Sequence, residues 1–211
     1  MNRIIFYFDG FNFYNGLKSK SITEPFWKNF YWIDFVKFCE EFVEGGILKK
    51  VKYFTAPSTD DLQRSRQSAL FSANKLLNPD KFVLIDGKYQ KKTVTCKKCK
   101  NDFQLYEEKK TDVNIALSMF IDCLDDEADT LVLISADSDQ VPTILSIKSK
   151  FPNKKFKVYF PPNRNSAELK SILNKVVYLD NNFDKFNNSI MQDRIEGNGK
   201  CYTRPQNWKY C

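Results

Sequence analysis

Five short runs of apolar residues recur along the chain, and they predict buried β-strands. Residues 3–8 (RIIFYF), 51–55, 82–85, 130–135 (TLVLIS) and 157–160 are apolar almost throughout instead of alternating with polar residues. Near-continuous apolar runs are typical of strands that are covered on both faces. These segments therefore predict the strands of a parallel sheet.

Between these runs, apolar residues recur at helical spacing. Helices are predicted at residues 33–43, 62–77, 113–124, 141–150 and 166–173. Strands that alternate with helices favour an α/β fold, in which helices cover both faces of a central parallel sheet.

Two of the predicted helices carry more detailed expectations. Ser58, with Asp61 three residues later, resembles the N-cap of the second helix. The apolar face of this second helix is expected to contain Leu62, Ala69, Ala73 and Leu77. In the third helix the apolar stripe consists of Val113, Leu117, Phe120 and Leu124.

Two stretches interrupt this alternation. Residues 86–107 are rich in lysine and predict a basic hairpin inserted into the domain. Residues 181–211 are polar and rich in asparagine, with a turn signal, GNG, at 197–199. We therefore expect one domain over residues 1–180, with the hairpin inserted at 86–107, and a C-terminal extension at 181–211.

Charge and composition narrow the chemistry. The net charge is +7 over 211 residues, which favours an anionic partner such as nucleic acid, although a lysine-rich surface that only maintains solubility explains it equally well. The sequence contains no histidine. This excludes Ser-His and Cys-His nucleophile pairs and any zinc site that includes histidine. General acid–base catalysis would therefore require carboxylates, lysine, tyrosine or water bound to a metal ion.

The sequence also predicts a cytoplasmic protein without a membrane segment. No window approaches the ~20 consecutive apolar residues that a membrane span requires. The six cysteines are too scattered for the disulfide framework of a secreted protein.

Four aspartates are placed where they can meet. Asp9 directly follows the first strand, Asp137 and Asp139 follow the fourth, and Asp112 begins the helix that leads into the fourth strand. Ligands of open parallel sheets gather at the carboxyl ends of the strands, so all four carboxylates are expected at one edge. Oxygen ligands without cysteine or histidine suit Mg²⁺ or Mn²⁺.

Each aspartate alone has a simpler interpretation. Asp9 before Gly10 is typical of a turn. Asp112 is typical of the first turn of a helix, and Asp137 and Asp139 could cap the helix that follows them. Only the joint placement of the four residues favours a metal site.

Neutral residues beside the aspartates are expected to support such a site. Asn12 and the hydroxyls of Ser135 and Ser138 are candidates to add ligand oxygens or to hold the carboxylates in place.

Four motifs in order resemble those of the bacterial NYN-domain family, which belongs to the PIN-like nucleases. They are FYFDGFNFYNGLK at 6–18, YEEKKTDVNIA at 106–116, LISADSDQVPTI at 133–144 and FPPNRNSAEL at 160–169. The tail, TRPQNW at 203–208, is also similar to the ending of many members. Two positions depart from the family pattern: Ala136 replaces a glycine, and Gln140 stands where phenylalanine or leucine is usual.

The resemblance implies a three-layer α/β/α sandwich with a central parallel sheet and metal-dependent hydrolysis of RNA by metal-activated water. It implies that the four aspartates hold one or two Mg²⁺ or Mn²⁺ ions, with Asn12 beside them. It also implies that Lys110 and Arg164 face the phosphate backbone, where Lys110 would stabilise charge on the transferring phosphate.

The lysine-rich hairpin has two candidate functions. Lys92, Lys97 and Lys98, with other lysines nearby and aromatic residues at Tyr89 and Phe103, predict a basic arm that binds RNA. A solvated hairpin without a binding role is the simpler alternative.

Cys96 and Cys99 in the hairpin have zinc-knuckle spacing, but a closed zinc site needs four ligands. Cys201 and Cys211 could complete it only if the tail folds back, and related proteins with a similar pair suggest a zinc ion shared across a homodimer. A plain turn is the favoured interpretation. Cys39 and Cys123 are expected in the core.

The leading hypothesis is a metal-dependent endoribonuclease, with single-stranded DNA as a further substrate to test. The alternative is an RNA-binding or regulatory module with little turnover, which the intact set of four aspartates disfavours. A phosphatase of small substrates is disfavoured because Phe11 occupies the position at which such enzymes need a second aspartate.

Overall fold

The computed structural model describes residues 1–210, and at residues 105–108 it describes the backbone alone. Within this range the strands are β1 (Asn2–Asp9), β2 (Gly46–Thr55), β3 (Phe82–Asp86), β4 (Lys88–Thr95), β5 (Asp102–Lys109), β6 (Thr130–Ile134), β7 (Lys155–Phe160), β8 (Val176–Tyr178), β9 (Arg194–Gly197) and β10 (Lys200–Thr203). The α-helices are α1 (Gly10–Thr23), α2 (Phe35–Glu40), α3 (Asp61–Leu77), α4 (Thr111–Leu124), α5 (Val141–Lys150), α6 (Ala167–Ser171) and α7 (Phe183–Asn188). Short 3-10 helices span Pro25–Tyr31, Ser138–Gln140, Leu179–Asn181 and Gln206–Trp208.

The central sheet is parallel, as predicted. Among residues 1–210 its six strands lie in the order β3-β2-β1-β6-β7-β8, and every neighbouring pair is parallel. The chain builds outward from β1 to β3 on one side and from β6 to β8 on the other. The point at which the order reverses therefore lies between β1 and β6, and crevices at such points are the usual ligand sites of open α/β sheets.

Helices cover both faces of the sheet, which confirms the three-layer α/β/α sandwich. Residues of β1 alternate between two cores: Phe6 and Phe8 face one, and Ile5 and Tyr7 face the other. The first core takes apolar residues from α1, α2 and α3, and the second takes them from α4, α5 and α6. Burial on both faces explains why the strands have almost no polar positions.

Helix α1 was not predicted, because Asp9 and Gly10 look like a turn. In the structure Asp9 is the N-cap of this helix and accepts a hydrogen bond from the Asn12 N–H at 3.0 Å. A Cβ atom at Gly10 would lie 2.5 Å from the carbonyl oxygen of Phe54. Glycine therefore allows the start of α1 to approach β2 closely.

The predicted cap of α3 was wrong, and its predicted face was wrong in part. The N-cap is Asp60, which accepts from the Gln63 N–H, while the Ser58 hydroxyl accepts from the Asp60 N–H. Leu62 and Leu77 are exposed, whereas the buried side is formed by Leu70, Phe71, Ala73 and Asn74. The polar Asn74 is buried because it bonds to the Phe35 N–H and the Ile33 carbonyl, and this interrupts the apolar pattern.

Helix α4 exists as predicted, but it turns its predicted stripe toward solvent. Val113, Leu117, Phe120 and Leu124 are exposed, while Ile115, Met119 and Cys123 are buried against the sheet. The buried side also contains Asp122, whose carboxylate lies 2.7 Å from Lys52 Nζ and accepts from the Tyr7 hydroxyl at 2.6 Å. This ion pair makes a polar residue compatible with the sheet-facing side.

The lysine-rich segment forms the antiparallel hairpin β4–β5, which is separate from the central sheet. It leaves the domain at Gly87, whose N–H donates to the Thr55 carbonyl at 2.8 Å. A Cβ atom at Gly87 would lie 2.6 Å from Thr111 Oγ1 and 3.1 Å from the Lys109 carbonyl oxygen. The first and last residues of the hairpin therefore lie close to each other and contact the start of α4.

The segment after residue 180 packs on the first core. Phe186 of α7 is fully buried between Trp27, Phe30 and Phe38, and Trp208 contacts the ring of Tyr31. Strands β9 and β10 form a hairpin whose turn is Asn198 and Gly199, within the predicted turn at 197–199. The boundary at residue 180 remains a prediction. No helix in the described part of the chain is long and apolar enough to cross a bilayer.

Candidate active site

Asp9 is buried at the carboxyl end of β1, on the side of the sheet that faces α4. Its side chain is 4% exposed. One carboxylate oxygen accepts from the Asn12 N–H at 3.0 Å, and the other accepts from the Ser135 hydroxyl at 2.7 Å. Asp9 thus joins the start of α1 to the end of β6 across the point at which the strand order reverses.

The loop after β6 is held by hydrogen bonds among the residues that the motif predicted. The Asp137 N–H donates to the Ser135 hydroxyl at 3.0 Å, and the Asp139 N–H donates to Asp137 Oδ1 at 3.0 Å. Asn12 accepts from the Ala136 N–H at 3.1 Å through its side-chain oxygen. Asp137 is therefore the N-cap of the 3-10 helix Ser138–Gln140 while it remains next to Asp9.

Asp112 lies in the first turn of α4, and its side chain is more exposed than those of Asp9 and Asp137. Gln140 Nε2 donates to Asp112 Oδ1 at 3.3 Å. Gln140 itself is buried, and its side-chain oxygen has no hydrogen-bond partner among the described residues. Gln140 therefore contributes a donor that fixes one carboxylate of the site.

Three of the four aspartates converge. Asp9, Asp112 and Asp137 each offer a carboxylate oxygen, and these oxygens lie within 4.8 Å of one another. Asp139 is exposed and lies outside this group, although its charge raises the pKa of Asp112. The three converging residues come from β1, α4 and the loop after β6, which are far apart in sequence.

The electrostatics of the group fit a cation. Burial raises the pKa of Asp9 from 3.8 to about 7, and the charges of Asp112 and Asp137 add to this effect against the two hydrogen bonds. Burial and the charge of Asp137 also raise the pKa of Asp112. Three carboxylates this close repel one another unless they are protonated or share a positive charge.

The donor set also fits a cation of a particular kind. Its candidate ligand atoms are all oxygens, and their mutual spacing is compatible with ligand distances of roughly 2.0–2.6 Å around one Mg²⁺, Mn²⁺ or Ca²⁺ ion. The residues present therefore fit a hard divalent cation held by Asp9, Asp112 and Asp137.

Comparison with known proteins shows the family of this chain. The family model described as NYN domain matches residues 3–180. The chain belongs to the NYN-domain family. This match confirms the family that the motifs predicted. NYN domains are nuclease-like members of the PIN superfamily, and such nucleases usually use divalent metals.

The chain is also similar to two individual proteins at low sequence identity. The NYN chain is 25% identical over 178 residues to 6-hydroxy-3-succinoylpyridine 3-monooxygenase HspA from Pseudomonas putida. The match covers 68% of this chain and 54% of the relative, so the chain spans about half the length of that protein. The fold is also similar to the crystal structure of a protein of unknown function from Vibrio parahaemolyticus, with a TM-score of 0.58 and 19% identity. That match covers 90% of this chain and 96% of the other.

The other predicted site residues lie on three segments: before α4, after β6 and after β7. Lys110 is exposed directly before α4 and adopts a left-handed backbone conformation, with φ at 76°. Ser138 is half-buried at the start of its 3-10 helix. Arg164 is exposed in the loop after β7, where its side chain approaches α1 at Gly16.

The hairpin of this NYN domain carries several exposed lysines. Those at 88, 91, 92, 97, 98 and 100 are all exposed, and Cys96 and Cys99 lie in the turn between β4 and β5. Among the described residues, neither cysteine belongs to a group of three or more converging metal ligands. Cys201 is exposed on the other hairpin, and Cys211 lies outside the described residues. Cys39 and Cys123 are buried, as expected.

Sequence reasoning did not assign a role to Gln140. The signal was present, because Gln140 stands where the NYN motif usually has an apolar residue. Its contact with Asp112 could only be found once α4 and the loop after β6 were placed together.

Proposed function

We propose that this NYN domain is a divalent-metal-dependent ribonuclease that hydrolyses RNA phosphodiester bonds. The observation that supports the proposal best is the convergence of the Asp9, Asp112 and Asp137 carboxylates within 4.8 Å at the carboxyl edge of the sheet. A bound Mg²⁺ or Mn²⁺ ion would polarise phosphate oxygens and lower the pKa of a water molecule.

The protein's own residues hold the site in shape. Asp9 is fixed by the Asn12 N–H and the Ser135 hydroxyl, so its oxygens keep their positions without a ligand. Gln140 restrains Asp112, the most exposed of the three. This preorganisation lets the carboxylates bind a cation without a large rearrangement.

Residues at the rim would act on the substrate. Asp139 is exposed next to the three aspartates, where it would orient the attacking water or bind a second ion. Lys110 is exposed two residues before Asp112 and would stabilise negative charge on the transferring phosphate. Arg164 and the hairpin lysines would bind phosphates further along the strand.

The test uses end-labelled RNA and single-stranded DNA, each incubated with and without Mn²⁺. We expect the wild-type protein to cleave RNA only with Mn²⁺, and the Asp112→Asn variant to lose at least ~100-fold in rate, because one of three ligand carboxylates becomes neutral. Asp112 is exposed, so the variant should fold normally.

The matched control is Asp61→Asn. Asp61 is also an exposed aspartate in the first turn of a helix, but it lies on α3, away from the acidic group. Its replacement should leave the rate unchanged. Undiminished Mn²⁺-dependent cleavage by the double variant Asp9→Asn, Asp112→Asn would rule out the proposed site.

The second candidate is an RNA-binding module with little turnover. The exposed lysines of the hairpin support it, because they belong to a separate two-stranded sheet and could bind RNA without the acidic group. Tight RNA binding by the wild-type protein with no cleavage in Mg²⁺ or Mn²⁺ would favour this function over the first.

A further inference from the structure

A pocket of about 180 Å³ lies on the opposite face of the sheet from α4, between α1, α3 and the 3-10 helix Pro25–Tyr31. It is smaller than the roughly 300–1,000 Å³ typical of pockets for drug-sized ligands. Its size therefore suits one small planar group better than a complete dinucleotide.

Aromatic side chains form much of the wall. Tyr14 is 37% exposed and lies 5.5 Å from the ring of Tyr31, and Tyr31 in turn contacts Trp208 at 5.8 Å. Phe11 lies at the same pocket and is exposed. Tyr31 and Trp208 are buried, so Tyr14 and Phe11 provide the accessible aromatic faces, and such faces bind flat rings by stacking.

Polar groups on α3 complete the opposite wall. The Gln67 side-chain oxygen accepts from the Ser58 N–H at 2.8 Å, and the Ser58 hydroxyl donates to the Gln63 side-chain oxygen at 3.1 Å. These bonds hold both carboxamides in place beside the pocket. The guanidinium of Arg66 is close enough to Tyr14 to act on the pKa of its hydroxyl, which burial raises and Arg66 lowers. The pocket thus combines stacking surfaces with groups that can hydrogen-bond to the edge of a polar ring.

The pocket is connected to the acidic group through the chain, at the carboxyl end of β1. Gly10 lines it, and Gly10 directly follows Asp9 in the chain. Tyr89, at the base of the lysine-rich hairpin, lines it as well. A polymer that contacts both the acidic group and the hairpin can therefore also contact the pocket.

We infer that this pocket binds one unstacked base of a single-stranded RNA whose phosphate lies at the acidic group, an inference that rests on the proposed ribonuclease function. A base can enter only after it leaves the stack, so single-stranded segments, loops and ends are substrates and continuous duplex is not.

The test is a scan with abasic nucleotides. A fluorescent single-stranded RNA of nine nucleotides is made in nine versions, each lacking one base, and binding to the Asp112→Asn variant is measured by anisotropy in Mn²⁺. We expect loss of one base to weaken binding by about tenfold, while loss at the other positions has smaller effects, because a stacked base contributes more than a solvated one.

Variants of Tyr14 connect the effect to the pocket. Tyr14→Ala in the same background should weaken binding of the intact RNA by about tenfold and remove the effect of the critical abasic position. Tyr14→Phe retains the stacking face and should bind like the parent. The matched control is Phe120→Ala, because Phe120 is equally exposed but lies on α4, across the sheet. Thermal denaturation verifies that each variant is folded.

The outcomes separate this inference from the proposed function. If the wild-type protein cleaves RNA but the abasic scan is flat, or Tyr14→Ala binds like Phe120→Ala, the base pocket is wrong and the ribonuclease stands. If RNA is neither bound nor cleaved, both fail.

Discussion

Asp9 serves two structural purposes that need opposite charge states. As the N-cap of α1 it accepts a backbone hydrogen bond, which favours the ionised carboxylate. As a buried neighbour of Asp112 and Asp137 it is pushed toward the neutral form, and its pKa is raised to about 7. Burial and the neighbouring charges outweigh the hydrogen bonds, so ionised Asp9 destabilises the metal-free protein at neutral pH.

This conflict predicts the pH dependence of stability. Because the pKa of Asp9 is higher in the folded protein than in the unfolded chain, its stabilising contribution is fully present below pH 3.8 and is lost as pH rises through about 7. The change is at most about 4 kcal/mol. In EDTA, Asp9→Asn should therefore be more stable than wild type at pH 8, with a smaller difference at pH 5.

Urea unfolding of both proteins at the two pH values measures this effect. Mn²⁺ should restore stability to the wild-type protein at pH 8 and have less effect on Asp9→Asn, because a ligand that binds only the folded state stabilises it. A less stable Asp9→Asn protein at pH 8 would contradict the raised pKa.

At the scale of elements, the hairpin β4–β5 is the strongest candidate for binding the RNA backbone. We expect the triple variant Lys92→Glu, Lys97→Glu, Lys98→Glu to weaken RNA binding and to reduce the slope of log K against log salt by about 2, since each phosphate contact on a single strand contributes about 0.7.

The control replaces three exposed lysines outside the hairpin, Lys28, Lys37 and Lys75, with glutamate. It introduces the same change in net charge. Equal slopes for the two triple variants would mean that overall charge, rather than the hairpin, attracts RNA.

The hydrophobic patterns predicted the presence of an element reliably. They predicted less reliably which side of that element is buried. The strands and α4 were expected, yet the apolar stripe of α4 is exposed because the side with Asp122 faces the sheet and pairs with Lys52. Asn74 on α3 produced a similar error. From the sequence alone, a polar residue that is buried against partners from other elements is predicted to lie at the surface, because those partners are not known.

At the scale of the whole molecule, the segment after residue 180 contributes to the main core. Phe186→Ala should lower the free energy of unfolding by about 3–5 kcal/mol, because the ring is fully buried among aromatic residues. Phe183→Ala is the matched control on the same helix, where the ring is 40% exposed, and it should cost less than half as much. Urea unfolding measures both.

A small effect of Phe186→Ala would mean that α7 lies on the surface of an independently stable domain, as the predicted boundary at residue 180 implies. An effect of the expected size would instead mean that a chain ending there lacks part of its core.

The sequence was sufficient for five of the six strands of the central sheet, but not for the three-residue strand β8. It was also sufficient for the edge at which three of the aspartates meet, because these residues follow a strand or begin a helix in a regular α/β alternation. It was insufficient for the pocket. Tyr14, Arg66 and Trp208 come from segments that are far apart in the sequence, and only packing brings them together. Helix α1 was missed for a local reason, since Asp9 and Gly10 have the composition of a turn.

Gly87 connects the two regions that would contact RNA. Since its hydrogen atom faces the first turn of α4 where a methyl group would collide with Thr111, the angle at which the lysine-rich hairpin leaves the domain depends on the absence of a side chain. A residue of any other type there would force Thr111 or the base of the hairpin to shift, so the path of a bound strand would be sensitive to this position although every lysine and every aspartate remained.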